Sequence, residues 1–148
     1  MISISGSNDE KKRPVPRALQ LFLKRPLMYV PTLGFHTATA FLQGFDLARD
    51  GEILAGFREW LVVKLGDGNN LSWFELVLRL AYPPPGARPL ELPATDQERL
   101  VALLFRSIEE LWEESEDAGG VEALLDRHAS WLRVQDWYQA TPAQNSIF

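Results

Sequence analysis

An all-α fold, a compact bundle of five or six helices, is what this sequence predicts, and three observations carry that prediction. Apolar residues recur at i, i+3, i+4 and i+7 in several successive windows, the rhythm of one helix face. Two of those windows open on Ser/Thr-x-x-Glu, the pattern of a capping box. No stretch alternates apolar and polar residues for long enough to make a sheet. Residues 26–31 and 61–63 are the strand-like candidates, and both are too short to form a sheet of their own.

Taken in order, residues 1–13 are polar and end in Lys11-Lys12-Arg13, which predicts a flexible, solvated tail. A single helical domain is expected over residues 14–140, followed by a loose tail at 141–148. From Pro16, the cluster Leu19, Phe22 and Leu23 predicts a short first helix. It should stop before Pro26, because proline disfavours the helical conformation of its predecessor. Pro26 to Pro31 is expected to run extended across the surface of the core.

Thr32 to Gly34 reads as a turn into a second helix at about 35–49, with Ala38, Phe41, Leu42 and Phe45 on its apolar face. Gly51 suits the left-handed position beyond its end. A third helix, about 52–65, carries Ile53, Phe57, Trp60, Leu61 and Lys64 in the same rhythm, and Gly66-Asp67-Gly68-Asn69-Asn70 ends it. The capping boxes Ser72 to Glu75 and Thr95 to Glu98 open a fourth helix at about 73–82 and a fifth at about 96–116. A proline-rich, semi-rigid loop at 83–94 joins them. Trp73, Leu76, Val77 and Leu80 form the fourth stripe; Val101, Leu104, Phe105, Ile108 and Trp112 form the fifth. After Gly119-Gly120, a sixth helix at about 121–134 uses Val121, Leu124, Leu125, His128 and Leu132.

At 148 residues, 46% apolar and 24% charged, the chain can bury a core that folds without staples. The absence of cysteine removes disulfides, thiolate zinc sites and cysteine nucleophiles together. No apolar run approaches the roughly 18 residues of a membrane span. The charges near the N-terminus follow a polar stretch and precede no apolar one, so no signal peptide is expected, and the cytoplasm is the expected compartment. The net charge of −5 is uneven: residues 1–89 hold eleven Lys/Arg against eight Asp/Glu, and residues 90–148 hold four against twelve. A chain of this balance is a poor ligand for phosphate backbones, and no nucleic-acid partner is expected.

Catalytic machinery is sparse. The chain has two histidines. His128 falls on the apolar stripe of the sixth helix and is expected to be a hydrogen-bonded rim or core residue. Asp126, His128 and Ser130 stand at i, i+2 and i+4, so the imidazole points away from the other two and no relay can form on one helix. His36, at the start of the second helix, sits where the dipole disfavours its protonation. Neither belongs to an HExxH or ExxH spacing that would hold a metal. Gly66-Asp67-Gly68 follows a helix and lacks the strand that a dinucleotide fingerprint requires. No cofactor, no metal and no catalytic residue is expected; an enzyme using His36 or His128 as acid or base is the alternative, and a self-assembling regulatory module is a further one.

The most unusual feature is Glu109-Glu110-Leu111-Trp112-Glu113-Glu114-Ser115-Glu116-Asp117. On a helix, Glu109, Glu113 and Glu116 make one stripe and Glu110, Glu114 and Asp117 make the next. Like charges at i, i+4 cost about 0.2–0.5 kcal/mol per pair, and the C-terminal end of the dipole disfavours anions further. No basic residue lies between Ser107 and Asp126. A solvated face, or cations brought close by the fold, would explain these six carboxylates; so would a site for a basic protein partner. The latter is the expected role.

Two resemblances bear on function. Lys24-Arg25-Pro26-Leu27-Met28-Tyr29-Val30 followed by Gly34-Phe35-His36 resembles a segment near the start of gyrase-type ATPases. Those enzymes place an acidic-Asn pair on the next helix for magnesium; here it carries Gln43-Gly44-Phe45-Asp46, and no later adenine-binding aspartate motif follows. The ATPase reading is set aside. The order RPLMY (Arg25 to Tyr29), FLQGF (Phe41 to Phe45), FREWL (Phe57 to Leu61), Ser72-Trp73 and the Trp131-Leu132, Trp137-Tyr138 end is similar to small all-helical bacterial proteins, some of them immunity proteins of polymorphic toxin systems. That resemblance implies a non-enzymatic toxin inhibitor. It carries no site residues over, because the shared positions are aromatic core positions.

Overall fold

The structure, a computed structural model, describes residues 14–138. The expected tails fall outside the described residues, at the N-terminal end entirely and at the C-terminal end from residue 139. Among the described residues, six α-helices form the bundle: α1 (Arg17–Lys24), α2 (Phe35–Ala48), α3 (Phe57–Leu65), α4 (Trp73–Ala81), α5 (Gln97–Ala118) and α6 (Val121–Arg133). Short 3-10 turns at Pro26–Met28 and Ala94–Asp96 complete it, and there is no strand among the described residues. The expected all-α fold is what the chain adopts. No described helix is long and apolar enough to cross a membrane.

The longest helix, α5, is the hub. It packs against α2, α3, α4 and α6, while α3 also packs against α4 and α6. One continuous core runs from Leu19 and Phe22 through Phe35, Leu42, Phe57, Leu61 and Leu76 to Leu104, Ile108, Leu111 and Leu124. Buried aromatic rings stitch the layers: Phe57 lies 5.5 Å from Trp73, and Phe22 stacks on Phe41 at 4.0 Å and meets Phe105 edge-on at 5.4 Å.

Several expected boundaries move, each for a local reason. The segment from Pro26 is no extended strand. Proline presets the helical φ at a first helical position, and Met28 and Tyr29 donate to the carbonyls of Arg25 and Pro26 to close a 3-10 turn. Leu27, Met28 and Tyr29 project outward, and only Val30 of this stretch is buried. The third helix begins at Phe57, five residues later than expected. The Asp46 carboxylate accepts from the amides of Ile53 (3.0 Å) and Leu54 (2.8 Å), so these residues join a turn, although both side chains still enter the core. In α6 the buried stripe is narrower than expected: Leu124 is enclosed, but Leu125 is exposed, and Trp131 packs on the core in its place.

The two capping boxes divide. Ser72 caps α4, its hydroxyl accepting from the Glu75 amide at 3.4 Å, while the Glu75 carboxylate pairs with Arg88 and does not reach back. Thr95 caps nothing. The 3-10 turn at Ala94–Asp96 puts it inside a helical turn, and the cap position passes to Asp96. The Asp96 carboxylate instead accepts from the Tyr82 hydroxyl at 2.6 Å and lies 3.5 Å from Arg99. The neighbouring Gln97 side chain accepts from the Phe35 amide at 2.8 Å, satisfying an orphan donor of α2 from across the fold. Ser72→Ala is therefore expected to cost about 0.5–1 kcal/mol, and Thr95→Ala to fall within about 0.5 kcal/mol of zero, both measured by urea unfolding.

Candidate functional site

The acidic run lies on the last turns of α5, and the fold separates its two stripes. Glu110 and Glu114 face α3. The Lys64 ammonium sits 2.6 Å from Glu110 and 4.6 Å above the Trp60 ring, and the Trp60 indole N–H donates to Glu114. Arg127 of α6 lines the same hollow. The fold thus brings to this stripe the cation that the local sequence lacks. Asp117, the third member of this stripe, is exposed.

The other stripe is not neutralised in this way. Among the described residues, Glu109, Glu113, Glu116 and Asp117 form no ion pair. Glu109, Glu113 and Glu116 stand along one edge of an open groove of about 230 Å³ between α1 and α5. Its floor is apolar: Val15, Leu19 and Leu23 on the α1 side, Ile108 and Trp112 on the α5 side, with Gln20 at the rim. The helical period creates this arrangement. Positions 108 and 112 fall on the core-facing side of α5, and 109, 113 and 116 fall about a quarter-turn further round.

An apolar trough edged by one sign of charge is suited to an amphipathic cationic segment. Its aliphatic parts can cover the half-buried Val15 and Leu23, beneath which Leu19 and Ile108 are already enclosed, while its ammonium or guanidinium groups meet the carboxylates. The low-dielectric wall strengthens the field of the three carboxylates over what they would exert in open water. The groove offers negative charge beside an apolar wall, and no serine, cysteine, lysine or histidine is among its lining residues.

The two histidines lie elsewhere. His36 is exposed in the first turn of α2, its ring 5.8 Å from that of Phe35. His128 is half-buried between α6 and the loop after α3, where its Nε2 shares a 2.7 Å hydrogen bond with Asn69 Oδ1 and its ring stacks on Trp131. Asp126 and Ser130 are exposed on other sides of α6. Neither histidine lines the groove. No group of three histidine or acidic side chains that could hold a metal occurs among the described residues.

Asn69 was not legible as a partner in the sequence, where it read as turn chemistry only. Gly66 and Gly68, at φ of 70° and 87°, turn the chain so that Asn69 faces α6. A Cβ on Gly68 would also lie 2.5 Å from the Leu76 side chain, which would have to shift, and the φ of 87° strains any residue other than glycine there.

Burial pushes the His128 imidazole below its ordinary pKa of 6.5; Arg58 adds to that and Glu59 opposes it. The unfolded chain then binds the proton more readily than the folded one. The contribution of neutral His128 is whole above pH 6.5 and is lost as pH falls through the folded value below it. His128→Gln is expected to flatten the fall in stability between about pH 7 and pH 5, read from urea unfolding across that window. An unchanged slope would remove His128 as its source.

No protein-family model, curated protein or solved structure matches the chain.

Proposed function

We propose that this protein is a non-enzymatic binding protein that takes a basic, amphipathic segment of a partner protein into the groove between α1 and α5. One observation carries the reading. Of two adjacent acidic stripes on one helix, one has Glu110 and Glu114 partnered within the fold, and the other edges an apolar trough with its charges unmatched among the described residues. Carboxylates at the C-terminal end of a helix work against the dipole and against each other, and folding alone supplies no reason for the second stripe.

The partner class follows from the chemistry: a protein with an exposed cationic surface. The likeness to small helical immunity proteins suggests a toxin, whose substrate-handling surface would be basic if it acts on nucleic acid or nucleotides. Occlusion of that surface would neutralise it, and the cytoplasm is where such an inhibitor is needed. Glu109, Glu113 and Glu116 would make the direct contacts. Glu110, Glu114 and Asp117 would extend the negative field that steers the encounter.

The experiment is a capture from the native host with the wild-type chain as bait, repeated with Glu109, Glu113 and Glu116 all changed to lysine. A partner that is retained by the wild type and lost by the triple variant supports the groove. Equal retention by both would contradict it.

A further inference from the structure

We propose that the face formed by α1 and the acidic edge of α5 is self-complementary, and that a second copy of this chain, related by a two-fold axis, covers the groove when no partner is bound. The inference rests on the groove being a docking site for a basic, apolar surface. It adds that this chain presents such a surface itself.

Two stretches of opposite sign are packed side by side. Arg17 to Phe45 carries three cations, Arg17, Lys24 and Arg25, and no carboxylate. Across the groove stand Glu109, Glu113 and Glu116, in a stretch from Ser107 to Leu125 that holds no lysine or arginine. The helical period brings the cations to the same groove. Leu19 and Leu23 line it and Gln20 stands at its rim. At about 100° per residue, Arg17 and Lys24 follow some 40–60° beyond Gln20, on the outer shoulder of that rim, and Arg25 caps the end of the helix. All three are exposed, and among the described residues none of them forms an ion pair. The groove therefore separates two unmatched edges, one basic and one acidic.

Apolar surface continues from the basic shoulder. Leu21 is exposed on α1, and Leu27, Met28 and Tyr29 follow in the 3-10 turn, with Leu27 66% and Met28 73% exposed. Contiguous exposed apolar side chains rimmed by charge mark a contact surface. Each copy thus offers a groove and also what that groove accepts, cations beside apolar side chains. A two-fold axis lying along the groove sets the α1 shoulder of one copy over the α5 edge of the other, and the converse. Both edges are matched at once, and the assembly closes at two. An anionic membrane would match the cations but meet the three glutamates on the same face, and the net charge of −5 opposes it. The dimer buries the partner site, so a partner must compete with the second copy.

Sedimentation of the full chain tests this. Between about 5 and 500 μM the weight-average mass should climb from that of one chain towards that of two. Salt at about 0.5 M should weaken the association roughly tenfold by screening the edges. Glu109→Lys, Glu113→Lys and Glu116→Lys together make both edges basic; Arg17→Glu, Lys24→Glu and Arg25→Glu together make both acidic. Each variant alone should stay monomeric over that range. An equimolar mixture of the two should associate, because each then meets opposite charge along both edges, and this recovery also shows that both are folded.

A wild type that stays monomeric throughout overturns the proposal, as does association that both variants retain. So does a monomeric chain that sediments with phosphatidylserine vesicles and loses that binding on the Arg17, Lys24 and Arg25 substitutions, since the α1 face would then belong to a membrane. A synthetic amphipathic peptide of lysine and leucine separates this failure from failure of the groove. If the chain is monomeric but binds the peptide through Glu109, Glu113 and Glu116, the dimer inference fails and the groove stands. If peptide binding ignores those glutamates, the groove reading fails and the dimer built on it falls.

Discussion

Phe22→Ala is expected to cost about 3–5 kcal/mol of folding stability, the usual range for deleting a fully buried ring. Phe22 is completely enclosed. Its ring stacks on Phe41 of α2 at 4.0 Å, meets Phe105 of α5 edge-on at 5.4 Å and lies 6.4 Å from Tyr29 in the 3-10 turn. One side chain therefore joins four elements. Ring pairs add about 0.5–1.5 kcal/mol beyond the area they bury, and a domain of this kind has only about 5–15 kcal/mol in total.

The consequence reaches the groove. α1 meets α5 through long side chains, Phe22 on Phe105 and Leu19 within the shared core. Loss of the Phe22 ring should loosen α1 and blur the trough it walls. Urea unfolding gives the stability change, and a loss below about 1 kcal/mol, typical of a surface position, would show that Phe22 is not the joint described. Phe22→Leu, which keeps much of the apolar volume, should lose clearly less.

The second large effect concerns binding. Changing Glu109, Glu113 and Glu116 to lysine replaces three attractions by three repulsions along one edge of the groove. A partner should lose on the order of 100-fold in affinity, about 2.7 kcal/mol, with much of the loss in the association rate at low salt. Stability should move the other way. The substitutions exchange the Glu109–Glu113 repulsion for a lysine–lysine one of the same order, about 0.2–0.5 kcal/mol, while placing cations where the α5 dipole favours them. A melting temperature that holds or rises while affinity collapses is the signature of a charge placed for recognition.

How much of this was legible in the sequence varies with the range of the interaction. The α4 start and the glycine-rich end of α3 depend on neighbours a few residues apart, and they appear as read; the α5 stripe does so in part, with Leu100 and Leu111 joining it and Phe105 only half-buried. Thr95 failed as a cap where Tyr82 engages Asp96 and Gln97 caps α2; these contacts link separate elements, and no local pattern announces them. The late start of α3 has the same origin in the Asp46 carboxylate. Leu125 was misplaced because the 3.6-residue period gives a face but not the width of the neighbour that covers it.

The acidic run shows both sides of this limit. Its helical stripes were readable from the period alone. Which stripe the fold would pair was not, since Lys64 and Trp60 stand some fifty positions away on another helix. Nor was the apolar trough, which needs Val15, Leu19 and Leu23 to come alongside Ile108 and Trp112.

The most direct test of the groove compares two triple reversals of equal charge. One changes Glu109, Glu113 and Glu116 to lysine; the other changes the exposed Glu91, Asp126 and Asp136 to lysine, away from the trough. The affinity of each for the partner captured from the host is measured by calorimetry at physiological salt. The groove reading predicts a loss on the order of 100-fold for the first and little change for the second. Equal losses would mean that net charge alone attracts the partner, and the groove would not be the site.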